Sequence, residues 1–269
     1  MVETYREHLN SEAVAHSPTF DPMKFETPKF SVIIPAYNEE KLLPRLLDSI
    51  AVAQKSYSGG PNAVEVIVAD NDSTDRTAAV AAEHGAKVVK VNKRRIAAAR
   101  NGGARAASGD ILCFIDADSA IHPQTFDAIR EAIDGGRTVA GATGVDLERR
   151  SPGLLFTYYL AMTVVWLMRM DTGVVFCRRE DFEVVGGYDE TRLYAEDVAF
   201  LIAMRRLGRT KGQRLGRLRG VKALGSTRKF DQFGDWHFLW MMGQGVKSLF
   251  TGNWNDKKFA ERYWYNSGR

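Results

Sequence analysis

Asp110-Ile-Leu-Cys-Phe-Ile-Asp-Ala-Asp118 is the stretch on which the reading of this chain turns. Its apolar run is short and rich in β-forming residues, which marks a buried strand. The run ends on two carboxylates, Asp116 and Asp118. On a continuing strand they face the same side, with Ala117 opposite. In an open α/β sheet, chemistry lies just past the carboxyl ends of the strands. Two acids there, with little to neutralise them nearby in sequence, point to a divalent cation of the Mg²⁺ or Mn²⁺ kind bridging to a diphosphate. A lone Asp-x-Asp is a weak signal; its place after a buried strand gives it weight.

Working outward, strands and helices alternate. Phe30–Pro35 reads as a strand. Glu39–Ala53 reads as a helix with Leu42, Leu43, Leu46, Leu47 and Ile50 on one face. Val64–Asp70 is a second strand. Ser73 is expected to cap a helix from Thr74 to about His84, ended by Gly85. Lys87–Val91, the Ala-rich helix Arg95–Ala107, the strand Ile111–Asp116 and a helix opening at Pro123 follow. This order predicts one α/β domain with a mostly parallel central sheet and right-handed crossovers. Farther on, Val139–Asp146 reads as a strand. Ser151–Met168 is uncharged and bracketed by Arg149, Arg150 and Arg169. It is short for a membrane span, which leaves a buried helix or one lying at a membrane interface. Trp236–Phe250 carries the same two readings.

The 269 residues are expected to divide into an extension at 1–28, a main domain at 29–225 and a helical segment at 226–269 packing on the site or a membrane. Within the main domain, 29–120 is the nucleotide-binding half and 121–225 the acceptor half. Apolar residues make up 45 %, enough for a full core. The net charge of +4 is too small to argue for nucleic acid, though it suits an anionic membrane surface or diphosphates. Cys113 and Cys177 read as reduced core thiols. Met1 to Lys29 shows no secretory signal, so a cytoplasmic location is expected, with the cytoplasmic membrane face left open.

Several side chains could carry chemistry at the predicted sheet edge. Pro35-Ala-Tyr-Asn-Glu39 closes the first strand; Tyr37 could stack on a base, or the segment is a turn with Asn38 capping a helix and Glu39 on its dipole. Asp70 and Asp72 could accept hydrogen bonds from a base or ribose. Asp70 is not explained by capping and would otherwise be a buried acid without a partner. Arg100 lies one turn into its helix and can reach back to the acids or a phosphate. Glu196 and Asp197 open an amphipathic helix; they are dipole-favoured acids, or one is a general base beside an acceptor hydroxyl.

In this order the segments resemble the family 2 inverting glycosyltransferases. Pro35-Ala-Tyr-Asn-Glu39 is similar to the family's opening motif, Asp70-Asn-Asp-Ser-Thr-Asp75 to its base-binding segment and Ala99-Arg-Asn-Gly102 to its basic helix. Asp116-Ala-Asp118 is similar to its metal motif, Thr172-Gly-Val174 to its acceptor-side strand and Glu196-Asp197 to its acid pair. The resemblance covers Phe30 to about Arg206. It implies a glycosyltransferase A-type, Rossmann-like domain that moves one sugar from a nucleoside-diphosphate donor, UDP favoured, to an acceptor hydroxyl or phosphate. Under it Pro35, Ala36, Tyr37, Glu39, Asp70, Asp72, Arg100, Asp116, Ala117 and Asp118 form the donor side. Asp118 binds Mg²⁺ or Mn²⁺, Asp116 contacts ribose or metal, Gly173 and Glu196 lie on the acceptor side, and Asp197 deprotonates the acceptor. The acceptor is lipid-linked or a glycan, with peripheral membrane contact left open.

Two departures stand out. Asp72 replaces a glycine common in the family. Gln232-Phe-Gly-Asp-Trp236 is similar to the Gln-x-x-Arg-Trp signature of processive synthases, but Asp235 replaces the arginine, so single transfer is expected. Arg228 and Lys229 could close over the diphosphate or form a basic surface loop. His237 completes a metal shell or packs in a helix. The alternatives are a nucleotidyltransferase, whose glycine-rich basic loop has no counterpart at Pro35–Glu39, and a non-catalytic nucleotide-sugar-binding protein of the same fold.

Overall fold

The computed structural model describes residues 29–236, apart from 150, 169 and 219, together with residue 243. The extension at 1–28, Arg150, Arg169, His237 and most of the 236–250 helix candidate lie outside the described residues. Strands β1 (Phe30–Ala36), β2 (Val64–Asp70), β3 (Lys87–Lys90) and β4 (Ile111–Phe114) alternate with helices α1 (Leu43–Ser56), α2 (Thr77–Glu83) and α3 (Ile96–Ala106). Then come α4 (Thr125–Asp134), β5 (Thr138–Ala142), β6 (Val145–Leu147), α5 (Pro152–Met168), β7 (Val175–Arg178) and α6 (Arg179–Val185). The chain continues through α7 (Glu196–Thr210), β8 (Arg214–Arg217), β9 (Ala223–Gly225) and α8 (Arg228–Phe233).

Seven strands form one sheet in the order β3-β2-β1-β4-β7-β5-β8. Only β7 is antiparallel to its neighbours; the other pairings are parallel. Side chains alternate between two cores, one on each face. Phe30, Val32 and Ile34 of β1 meet α1, α2 and α4 on one face, while Ile33 meets α3 and α7 on the other. Cys113 and Cys177 are both free and fully buried, on opposite faces. Burial pushes both thiols well above their ordinary pKa.

The boundaries differ from the expected ones for local reasons. Helix α1 starts at Leu43 rather than Glu39, with Pro44 in its first turn, where a missing N–H costs no hydrogen bond. Asn38 does not cap it: Asn38 lies at φ 53° and its side chain bonds Thr74. Nor does Ser73 cap α2, which starts at Thr77 behind a non-capping Arg76. The Ser73 hydroxyl instead accepts the Asn38 N–H at 3.1 Å, and Asp75 receives the Thr77 N–H at 2.9 Å. The predicted strand at Val139–Asp146 is two strands in different sheets, parted at Gly144 with φ 78°.

The second sheet pairs β6 with β9. Strand β9 reaches back to the turn after β4, where Ala120 and Leu224 exchange backbone hydrogen bonds of 2.9 and 2.8 Å. That bridge brings α8 over the carboxyl edge of the main sheet. Helix α5 is half-buried: Leu154 and Thr157 face inward, whereas Phe156, Tyr159 and Leu160 are exposed. Among the described residues, no helix is long and apolar enough to cross a membrane.

Candidate active site

Parallel strands end together, so the turns after β1, β2 and β4 share one edge. Between them opens a cleft. Pro35, Ala36, Tyr37 and Glu39 line it from the first turn, Asn71 from the second, and Asp116, Ala117 and Asp118 from the third. Ile96 and Ala99 of α3 and Arg228 of α8 complete the wall. Strand β4 ends at Phe114, two residues before the expected Asp116. Ser119 N–H closes on Asp116 C=O at 3.1 Å, so both acids project from a turn rather than a strand.

These acids are not short of countercharge, contrary to the local sequence. Arg100 is 4 % exposed and donates to Asp116 at 2.9 Å and to Glu196 at 2.7 Å, with Asp197 3.0 Å away. Arg228 forks onto Glu39 with two bonds of 3.0 Å and reaches Asp118 at 3.4 Å. Arg45 holds the same turn by donating to the Asp118 carbonyl at 2.9 Å, while pairing with Glu148. Arg100 comes from the preceding helix, as the sequence indicated, whereas Arg228 comes from 110 residues beyond Asp118. Burial works against the Arg100 charge, yet Asp197, Asp116 and Glu196 more than offset it and hold the guanidinium firmly protonated.

Asp197 has the most altered carboxyl in the site. Its Oδ1 is buried and pairs with Arg100 Nη1 at 3.0 Å, while 26 % of the side chain stays exposed. Burial pushes its pKa up to about 7; Glu196 and Asp116 add to the rise, and Arg100 opposes it. A group poised there can take a proton near neutral pH.

The remaining predicted residues are placed as follows. Asp70 is buried, but it has a partner: the Ser73 N–H donates to it at 3.2 Å. Asn71, which sequence reasoning passed over, lines the cleft instead, anchored on the Val91 and Lys93 carbonyls at 2.9 and 2.7 Å. Asp72 is exposed, at φ 68° in the position where a glycine was expected. Tyr37 has the Arg94 guanidinium 4.1 Å from its ring centre. Glu196 is drawn in with Arg100. Gly173 does not join this group: at φ 94° it packs on Gly144, whose carbonyl oxygen would lie 2.4 Å from any added Cβ. Arg228, read from sequence as closing over the diphosphate or as part of a basic surface loop, stands on the cleft wall. Nothing local to it announces the partner at Glu39. Asp235, the departure from that signature, accepts a 2.6 Å bond from Arg149 and ties β6 to α8.

Among the described residues, no three His, Cys, Asp or Glu side chains converge as a self-contained metal cage. The paired carboxylates of Asp116 and Asp118 on the cleft wall fit a different design. A hard cation can use one or two carboxylates and complete its shell with substrate phosphate oxygens and water.

The profile of the family described as Glycosyl transferase family 2 matches residues 31–160. A segment of 99 residues is 46 % identical to 4,4'-diaponeurosporenoate glycosyltransferase of Staphylococcus haemolyticus, covering 34 % of this chain and 24 % of that protein. The match therefore spans about a quarter of that curated relative. Two solved structures are similar across most of the chain. Mannosyltransferase PcManGT of Pyrobaculum calidifontis, in complex with GDP-Man and Mn²⁺, superposes with TM-score 0.56 at 21 % identity, over 82 % of this chain and 62 % of that one. Glucosyl-3-phosphoglycerate synthase of Mycobacterium tuberculosis, in complex with Mn²⁺ and UDP-glucose, gives 0.52 at 23 % identity, over 71 % and 69 %. At these identities the structural likeness is one of fold. Residues 31–160 are thus similar to glycosyl transferase family 2, and the fold is of the glycosyltransferase A type.

Proposed function

We propose that this protein transfers a single sugar from a nucleoside-diphosphate donor to an acceptor hydroxyl or phosphate, inverting the anomeric carbon, with Asp197 as general base. The observation that carries this reading is Asp197 itself, a carboxyl lifted to about 7 and linked through Arg100 to the acids of the cleft. The acceptor O–H gives its proton to Asp197. The freed oxygen forms a bond to the anomeric carbon from the face opposite the diphosphate, and the bond from that carbon to the diphosphate oxygen breaks. Arg228 shifts from Glu39 and Asp118 towards the departing anion and offsets its charge.

A divalent cation, when bound, would be held by Asp118, with Asp116 on it or on the ribose, and would add positive charge against the diphosphate. The Mn²⁺ bound in both similar structures supports this choice, and the UDP-glucose in one of them makes UDP-glucose the first donor to test. The exposed aromatic patch of Phe156, Tyr159 and Trp236 supports peripheral contact with an anionic bilayer, where a lipid-linked acceptor would lie.

The test measures UDP release from UDP-glucose with Mn²⁺. Asp197→Asn is expected to lower the rate by about 10²–10⁴-fold, the usual worth of a general base. Thermal stabilisation by donor plus Mn²⁺ should persist in Asp197→Asn and vanish in Asp118→Asn. Equal release rates in wild type and Asp197→Asn would remove the mechanism.

A further inference from the structure

Tyr188 is a buried titratable group beside the site that the mechanism above leaves unused. Its backbone is clamped to α3 at the residue next to Arg100. The Tyr188 N–H donates to Asn101 Oδ1 at 2.9 Å, and Asn101 Nδ2 donates to the Tyr188 carbonyl at 2.9 Å. Gly186 and Gly187, at φ 79° and 74°, turn the chain into this clamp. A Cβ on Gly187 would sit 2.7 Å from Asn101 Oδ1, so the turn admits no larger residue without a shift.

The ring is fixed on several sides. It stacks on Phe200 with centroids 4.4 Å apart and 19° between planes, and meets Phe114 edge-on at 5.1 Å. The Arg100 guanidinium lies 5.1 Å from the ring centre. For this packing a phenylalanine would serve. The hydroxyl is what needs explaining, because it acts on the Asp197 carboxylate yet is buried without a well-formed hydrogen bond. Buried tyrosine hydroxyls ordinarily find one. The neighbouring Asp197 Oδ1 is likewise buried without a well-aligned hydrogen bond, with Arg100 Nη1 3.0 Å away as its ion-pair partner.

We propose that Tyr188 is a positioning residue: its hydroxyl donates to Asp197 Oδ1 in the working enzyme, fixing the carboxylate so that its other oxygen faces the acceptor. Burial pushes the hydroxyl's own pKa well up, so it remains a donor throughout the working range. Such a bond would favour the charged carboxylate and work against the burial that raises Asp197. The other groups acting on Asp197 are Arg100 of α3, Asp116 after β4, and its own neighbour Glu196.

This inference rests on Asp197 being the base, and the experiment separates the two. Tyr188→Phe removes one oxygen and keeps the ring stack. UDP release from UDP-glucose with Mn²⁺ is followed against pH, alongside the melting temperature. The expected result is an unchanged or higher melting temperature, an unchanged KM for UDP-glucose and a kcat lower by about 10-fold, the scale of a lost hydrogen bond to a charged group. The acid limb of the kcat profile should move to higher pH by roughly one unit, because a donor that favoured the carboxylate is gone. Fluorotyrosine at position 188, a stronger donor, should move the limb to lower pH. A Tyr188→Phe profile superimposable on wild type, together with an inactive Asp197→Asn, would reduce Tyr188 to packing alone and leave the base in place. Wild-type release by Asp197→Asn would overturn both readings.

Discussion

Arg100 shows how one residue can order a site. Its guanidinium is buried among Asp116, Glu196 and Asp197, which arrive from two other parts of the chain. Buried charge is costly unless paired, so the three acids and the arginine hold one another in place. The excess of acid over base leaves Asp197 as the group whose charge is least supported. Its ordinary pKa of 3.8 rises to about 7 in the fold. Between those values the native chain keeps a proton that the unfolded chain has released. Stability from this group is therefore present at low pH and is lost as pH rises towards 7. Asp197→Asn removes that dependence, so its melting temperature relative to wild type should rise between pH 5 and pH 8. A difference that stays constant over that interval would mean that Asp197 is already charged at pH 5.

At the scale of the element, α3 has the tightest seat. Gly103 faces β1, and a Cβ there would lie 2.5 Å from Cγ2 of the buried Ile33. Neither side can give way, because Ile33 is β-branched and α3 is locked to the sheet through Arg100 and Asn101. Gly103→Val should cost about 2–3 kcal/mol by overpacking, despite the better helix propensity of valine. Urea unfolding measures it, and a loss below about 0.5 kcal/mol would show that the helix can slide. The Ala-rich pattern of 95–107 revealed this helix, and alternating apolar runs revealed β1, β2 and β4, because both signals are local. The starts of α1 and α2 were not legible. They depend on a zipper between two turns, in which Asn38 and Glu39 bond Ser73, Thr74 and Thr77 some 35 to 38 residues away. The pairing of Arg228 with Glu39 escaped for the same reason: the two lie 189 residues apart.

For the whole molecule, the sheet with its six like-directed strands gathers the turns after β1, β2 and β4, while β7 turns the chain so that α7 can bring Glu196 and Asp197 to the same edge. The β4-to-Asp118 run was enough to read this edge from sequence; the close packing of Gly173 on Gly144 was not legible, because it joins two separate turns. Beyond the sheet, α5 presents Phe156, Tyr159 and Leu160 outward, beside Trp236. Flotation with anionic liposomes should carry part of the protein upward, and replacing Phe156 and Tyr159 with serine should reduce that fraction. Protein that stays entirely at the bottom of the gradient would count against bilayer contact.

The two cysteines lie in neighbouring strands yet belong to different layers of the sandwich. Each is sealed by its own set of helices, so an alkylating reagent can touch Cys113 only when one layer lifts and Cys177 only when the other does. Mass spectrometry of slowly alkylated protein would thus report the breathing of the two halves separately, from gauges the chain already carries. Equal labelling of both sites at every time point would mean that the layers part together.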